Sequence, residues 1–166
     1  MKNLVYLFLI GISCIINAQN AVCKCCTENH QAFDFWLGEW TVFKLDGSLA
    51  GANTIEKIQN NCVLRENWKS AKGNYTGTSS NFYNTQTGKW EQIWIDNQGG
   101  SLHLKGNRVG DQMILKSDTL KGKDGMPFFH QITWTKSPNG TVRQYWETFK
   151  DKDTLVAFDG LYKKSE

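Results

Sequence analysis

The sequence predicts an all-β protein: an antiparallel up-and-down barrel of about ten strands, with a short N-terminal helical turn closing one end. Three observations carry this. Gly, Asn and Asp recur at short intervals along the chain, as residues that accept positive φ or bond their own backbone do at turns. The runs between them are rich in Thr, Val, Ile, Trp, Tyr and Phe, which is how strands read. Trp is abundant, with seven residues, and Pro is scarce, with two, which suits a sheet with a large aromatic interior.

Taken in order, the strands are expected over 39–46, 49–59, 62–70, 74–83, 88–96, 101–106, 112–119, 128–136, 141–149 and 154–163. The turn signals between them include Asp46-Gly47-Ser48, Asn60-Asn61, Asn97-Gln98-Gly99-Gly100 and Ser137-Pro138-Asn139-Gly140. No connection is long enough for a crossover helix, so neighbours should pair antiparallel. An open meander of this length would leave two apolar edges, and closure removes them.

Ahead of the first strand stands Phe33-Asp34-Phe35-Trp36-Leu37-Gly38-Glu39-Trp40. Asn29 to Leu37 has room for one turn of helix. Phe33, Phe35, Trp36 and Trp40 can cover one end of the barrel, and Gly38 can let the chain swing into the first strand.

The chain opens with Lys2, an apolar run from Leu4 to Ile16 and a small residue, Ala18. This is the pattern of a secretory signal peptide over residues 1–18. Residues 19–32 then form a Cys-containing segment, and 33–166 the single barrel domain. The implied location is periplasmic or secreted. Lipid attachment at Cys14 is the alternative, weakened by Gly11 where such a site usually has Leu. No other apolar run approaches membrane length, so no transmembrane segment and a soluble mature chain are expected. The formal charge of +3 comes without a basic stripe, so nucleic acid is not an expected partner. The oligomeric state is not legible.

After cleavage Cys23, Cys25, Cys26 and Cys62 remain. An even number in an oxidising compartment favours disulfides. A bridge from the cluster to Cys62 is expected, from Cys26 or from Cys25. A thiolate metal site would want a second cluster, and none exists, so neither metal nor cofactor is expected.

Alternation assigns faces. Leu64, Glu66 and Trp68 share one face of their strand, which places Glu66 among apolar neighbours on the inner side. Such a carboxylate needs a partner, and Arg143 and His130 are the candidates. Trp90, Gln92, Trp94 and Asp96 share a face, as do Phe128, His130, Ile132 and Trp134, and Val142, Gln144, Trp146 and Thr148. His103 should face water, and His30 falls in a start expected to be mobile. The candidate ligand-binding residues are therefore Glu66, Trp68, Gln92, Trp94, His130, Trp134, Gln144 and Trp146. Trp would supply stacking area, and Glu66, Gln92, Gln144 and His130 orientation. A small, largely apolar or aromatic molecule is the matching partner.

Eight motifs run along the chain: Phe33–Trp40, Ala50–Ile55, Cys62–Trp68, Asn81–Tyr83, Lys89–Asp96, Ile132–Trp134, Val142–Glu147 and Phe158–Tyr162. Together they resemble an uncharacterised bacterial family of lipocalin-like (calycin-like) proteins. The resemblance covers nearly all of the chain after residue 18. One departure is Thr148-Phe149-Lys150-Asp151-Lys152, which lacks the glycines of the family pattern. The resemblance implies a calycin-like barrel and no reaction. The sequence carries no Gly-x-Ser-x-Gly elbow, no His-Glu-x-x-His and no phosphate loop. Catalysis by Glu66 or His130 as acid or base, and a ligand-free structural barrel, are the alternatives to ligand binding.

Overall fold

The computed structural model describes residues 23–165. The expected signal peptide, the Cys14 alternative and Glu166 lie outside the described residues. A one-turn helix α1 (Glu28–Gln31) and a 3₁₀ turn (Asp34–Trp36) precede β1 (Gly38–Lys44). The remaining strands are β2 (Leu49–Ile58), β3 (Val63–Ser70), β4 (Thr76–Asn84), β5 (Lys89–Asp96), β6 (Ser101–Val109), β7 (Gln112–Ser117), β8 (Leu120–Lys121), β9 (Pro127–Lys136), β10 (Val142–Lys150) and β11 (Asp153–Lys164).

Ten of these strands close into an antiparallel barrel. Each pairs with its neighbour in sequence, except that β7 pairs with β9 and β11 pairs with β1. The last pair, with Trp40 opposite Lys164 and Val42 opposite Tyr162, completes the ring. The two-residue β8 is an appendage on the start of β9. The seventh expected strand, carried to residue 119, ends at Ser117, and β8 takes up part of the connection that follows.

The turns divide into two ends. The β2–β3, β4–β5, β6–β7 and β9–β10 turns lie with the N-terminal segment. The β1–β2, β3–β4, β5–β6 and β10–β11 turns surround the other end. At the first end α1 and the 3₁₀ turn form the plug that the sequence anticipated. Phe33 and Trp36 are fully buried and stacked, with ring centroids 5.0 Å apart. Phe33 also meets Trp90 and Trp134 edge-on, at 5.6 and 5.2 Å. Aromatic pairs at such distances are favourable beyond their burial alone. Trp40 Nε1 donates to the Trp36 carbonyl at 2.8 Å, and Trp90 Nε1 donates to the Asn29 carbonyl at 2.9 Å. Lys57 pairs with Asp34 at 2.7 Å, fastening the 3₁₀ turn to β2. Gly38 has φ +123°, and a side chain there would collide with Lys164. The Lys164 ammonium donates to the Leu37 carbonyl and sits 3.9 Å from the Trp40 ring centroid, a cation–π contact.

Two disulfides tie down the segment before the plug, and they correct the expected Cys26–Cys62 pair. Cys62 bonds to Cys25, and Cys26 bonds back to Cys23. A turn in which Cys26 N–H donates to the Cys23 carbonyl brings Cys23 and Cys26 together. That leaves Cys25 to reach Cys62, with its Cα 5.0 Å from that of Cys62. His30, expected to be mobile, is buried. Its ring nitrogen lies 2.7 Å from the Thr27 hydroxyl, and its ring packs edge-on against Tyr83. Among the described residues no helix is long and apolar enough to cross a membrane.

Candidate functional site

Above the plug the barrel interior is not filled. A cavity of about 320 Å³ opens toward the end opposite the plug. Its wall is aromatic: Trp68 from β3, Trp94 from β5, Trp146 from β10 and Phe158 from β11, with Leu102 and Ile132 between them. Glycines make room for these rings, Gly77 and Gly51 from the neighbouring strands and Gly160 from the strand of Phe158 itself. A Cβ on Gly77 would overlap the Trp94 indole, and one on Gly51 would lie 2.8 Å from the Trp68 ring. Gly160 does the same for Phe158, at 2.5 Å. The rings therefore lie along the wall rather than across the cavity. Lys44, Ser70 and Tyr75 stand at the open end, where the Tyr75 hydroxyl donates to Asp96 at 3.1 Å.

The floor is polar. Glu66, Gln92, Gln144 and Tyr162 face the cavity there, above a buried network. Glu66 is only 4% exposed. Its carboxyl accepts from Asn53 Nδ2 at 2.7 Å and from the Ser79 hydroxyl at 2.6 Å. Ser79 in turn accepts from Asn81 at 2.8 Å, and Gln92 donates to Asn81 Oδ1 at 2.8 Å. On the other side Asn53 also reaches the Tyr162 hydroxyl at 3.3 Å, and Tyr162 donates to Gln144 Oε1. Six strands, β2 to β5, β10 and β11, thus meet through side chains at one level of the barrel. Burial pushes the Glu66 carboxyl up to about 7, partly offset by the Ser79 and Asn53 bonds. Burial also holds the Tyr162 phenol well above its ordinary value. Asn53 Oδ1 is buried and has no donor among the described residues.

Of the eight candidate residues, Glu66, Trp68, Gln92, Trp94, Gln144 and Trp146 line the cavity. Trp134 and His130 do not. Trp134 is fully buried under the plug, against Phe33 and Trp36. His130 is half-buried beside Trp146, with ring centroids 5.4 Å apart. Its Nδ1 accepts from Trp146 Nε1 at 3.1 Å and is 2.9 Å from the Thr148 hydroxyl. An indole can only donate, so neutral His130 carries its proton on Nε2. Burial lowers its pKa, which favours that neutral form. His130 therefore brackets a wall residue.

Neither expected partner of Glu66 reaches it. Arg143 points outward and forms a two-pronged pair with Asp159, at 2.8 and 2.6 Å. His103 faces outward as expected, 2.9 Å from Glu91. Asn53, Ser79, Tyr162, Phe158 and Leu102 join the site although the sequence did not single them out. Asn53 stands in the Ala50–Ile55 motif and shares a face with Ile55, and Phe158 and Tyr162 bound the motif at 158–162; for Ser79 and Leu102 there was no such signal. No protein-family model matches this sequence, and no curated protein matches it.

Proposed function

We propose that this chain is an exported, calycin-like binding protein that holds a small, largely apolar or aromatic molecule inside its barrel. The observation that carries this reading is the aromatic-walled cavity with a polar floor, closed at one end and open at the other. Ligand sites combine apolar lining with a few placed polar groups in this way. Trp68, Trp94 and Trp146 supply contact area, and Glu66, Gln92 and Gln144 supply orientation. Two disulfides support an oxidising compartment, and the motifs listed above support the calycin-like kinship. Native mass spectrometry of protein purified from its own host tests the reading. A stoichiometric co-purifying small molecule is the expected result. An empty barrel that also fails to bind a naphthalene dye in titration would overturn it.

One observation favours a second reading, an enzyme on the same barrel. A buried carboxyl with a pKa of about 7 is poised for acid–base work near neutral pH. In that case Glu66→Gln would keep ligand binding and abolish turnover of the bound compound. Loss of binding in the same variant would return Glu66 to a binding role.

A further inference from the structure

Glu66 stands out because its environment supplies hydrogen bonds but no positive charge. Among the described residues the carboxyl has two donors, Asn53 and Ser79, and no ion-pair partner. The groups beside it are Gln92, Gln144, Asn81 and Tyr162, all uncharged. The other titratable groups facing the cavity are Tyr75 and the exposed Lys44, both at the open end. Buried carboxylates are normally matched by a cation, because desolvation without one is costly. Here the face of the carboxyl that lacks a protein partner looks into the cavity. Behind it Asn53 Oδ1, buried and outside the cavity lining, has no donor among the described residues. Around the cavity stand Trp68, Trp94 and Trp146, indole rings whose faces attract cations. A carboxyl floor without a matching cation and aromatic walls match one chemical class.

We propose that the ligand is an organic amine with an aromatic or apolar body, its ammonium group seated against Glu66. This rests on the reading of the barrel as a binding protein and names the class of molecule that it takes. The ammonium supplies N–H donors to the carboxylate, and the body lies among Trp68, Trp94, Trp146 and Phe158. Binding is linked to a proton. In the empty barrel below neutral pH the carboxyl is protonated, so an arriving ammonium displaces that proton to the buffer and leaves a carboxylate–ammonium pair.

The test is calorimetric titration of the full chain with 2-(1-naphthyl)ethylamine, 2-(1-naphthyl)ethanol and 1-naphthylacetate, which share a body and differ in the head. At pH 8 the amine should bind at least ~10-fold more tightly than the alcohol, as a charge-assisted bond exceeds a neutral one. Its affinity should fall about 10-fold from pH 8 to pH 6, with close to one proton released per amine at pH 6 in buffers of different ionisation enthalpy. In Glu66→Gln the preference for the amine over the alcohol and the proton release should both vanish. Equal or tighter binding of the alcohol or the carboxylate to the unaltered protein would overturn the inference and leave the binding reading standing. Failure of all three probes would overturn both. If Glu66→Gln does not fold, the amine-to-alcohol ratio and the proton release of the unaltered protein decide alone.

Discussion

The two halves of the barrel interior use the same residue type to opposite ends. In the plugged half, Trp36, Trp90 and Trp134 are buried around Phe33, and Trp40 is buried against Tyr162. In the open half, Trp68, Trp94 and Trp146 each keep one side on an empty space. What separates the halves is what fills the centre. Below, a segment of the chain itself is drawn in by two hydrogen-bonded indoles and an ion pair. Above, glycines hold the rings back against the wall. A Trp count alone therefore says little about function, and the packing around each ring decides whether it stabilises the fold or offers a surface.

The largest effect should come from emptying the plug. Trp36→Ala removes a fully buried ring and should cost about 3–5 kcal/mol in denaturant unfolding. An unchanged midpoint would mean that the plug is not part of the cooperative core. Close behind stands the tether. Replacing Cys25 and Cys62 together by Ser opens a loop with a sequence separation of 37, worth about 3–4 kcal/mol by loop-closure entropy. The remaining Cys23–Cys26 bridge should survive in peptide maps made without reductant.

A third effect separates the polar floor from the dry plug. Glu66 holds its proton more tightly in the folded chain, at about 7 against an ordinary 4.5. Its contribution is therefore fully present below pH 4.5 and is lost as pH rises to about 7. Across that window the unaltered protein should lose about 3 kcal/mol relative to Glu66→Gln. Thermal unfolding of both proteins at pH 4.5, 6 and 8 measures the difference, and parallel curves would mean that Glu66 is solvated. The smallest effect belongs to the open half. Trp94→Ala should cost only about 1–2 kcal/mol, because a cavity already faces its ring. A loss equal to that of Trp36→Ala would erase the distinction between the halves.

The fold was largely legible because turns and alternation are local signals. Glycine and asparagine marked most of the strand ends, and the aromatic run before Gly38 marked the plug. Alternation also turned Glu66, Gln92 and Gln144 inward. It gives the side of a strand, however, and not the height in the barrel. Strand stagger sets that height, and it puts Trp134 against the plug and His130 beside Trp146, outside the cavity lining. The same limit hid the floor network, since Asn53, Ser79 and Tyr162 meet only through the register of separate strands. The Cys pairing was illegible because adjacent residues, Cys25 and Cys26, point to different partners.

The pairing of β1 with β11 has a consequence for how the chain reaches this structure. Most other strand pairs form between neighbours in sequence and can assemble as hairpins, but Thr41 and Ser165, which bond across the closing seam, are 124 residues apart. Long-range pairing of this kind slows folding, because the entropy of a large loop is lost before its contacts form. Until the seam zips, the chain is a curled sheet with two unpaired edges and a tryptophan-rich face open to water, a species prone to aggregate. The joining of the first strand to the last is therefore the step expected to be slowest in folding.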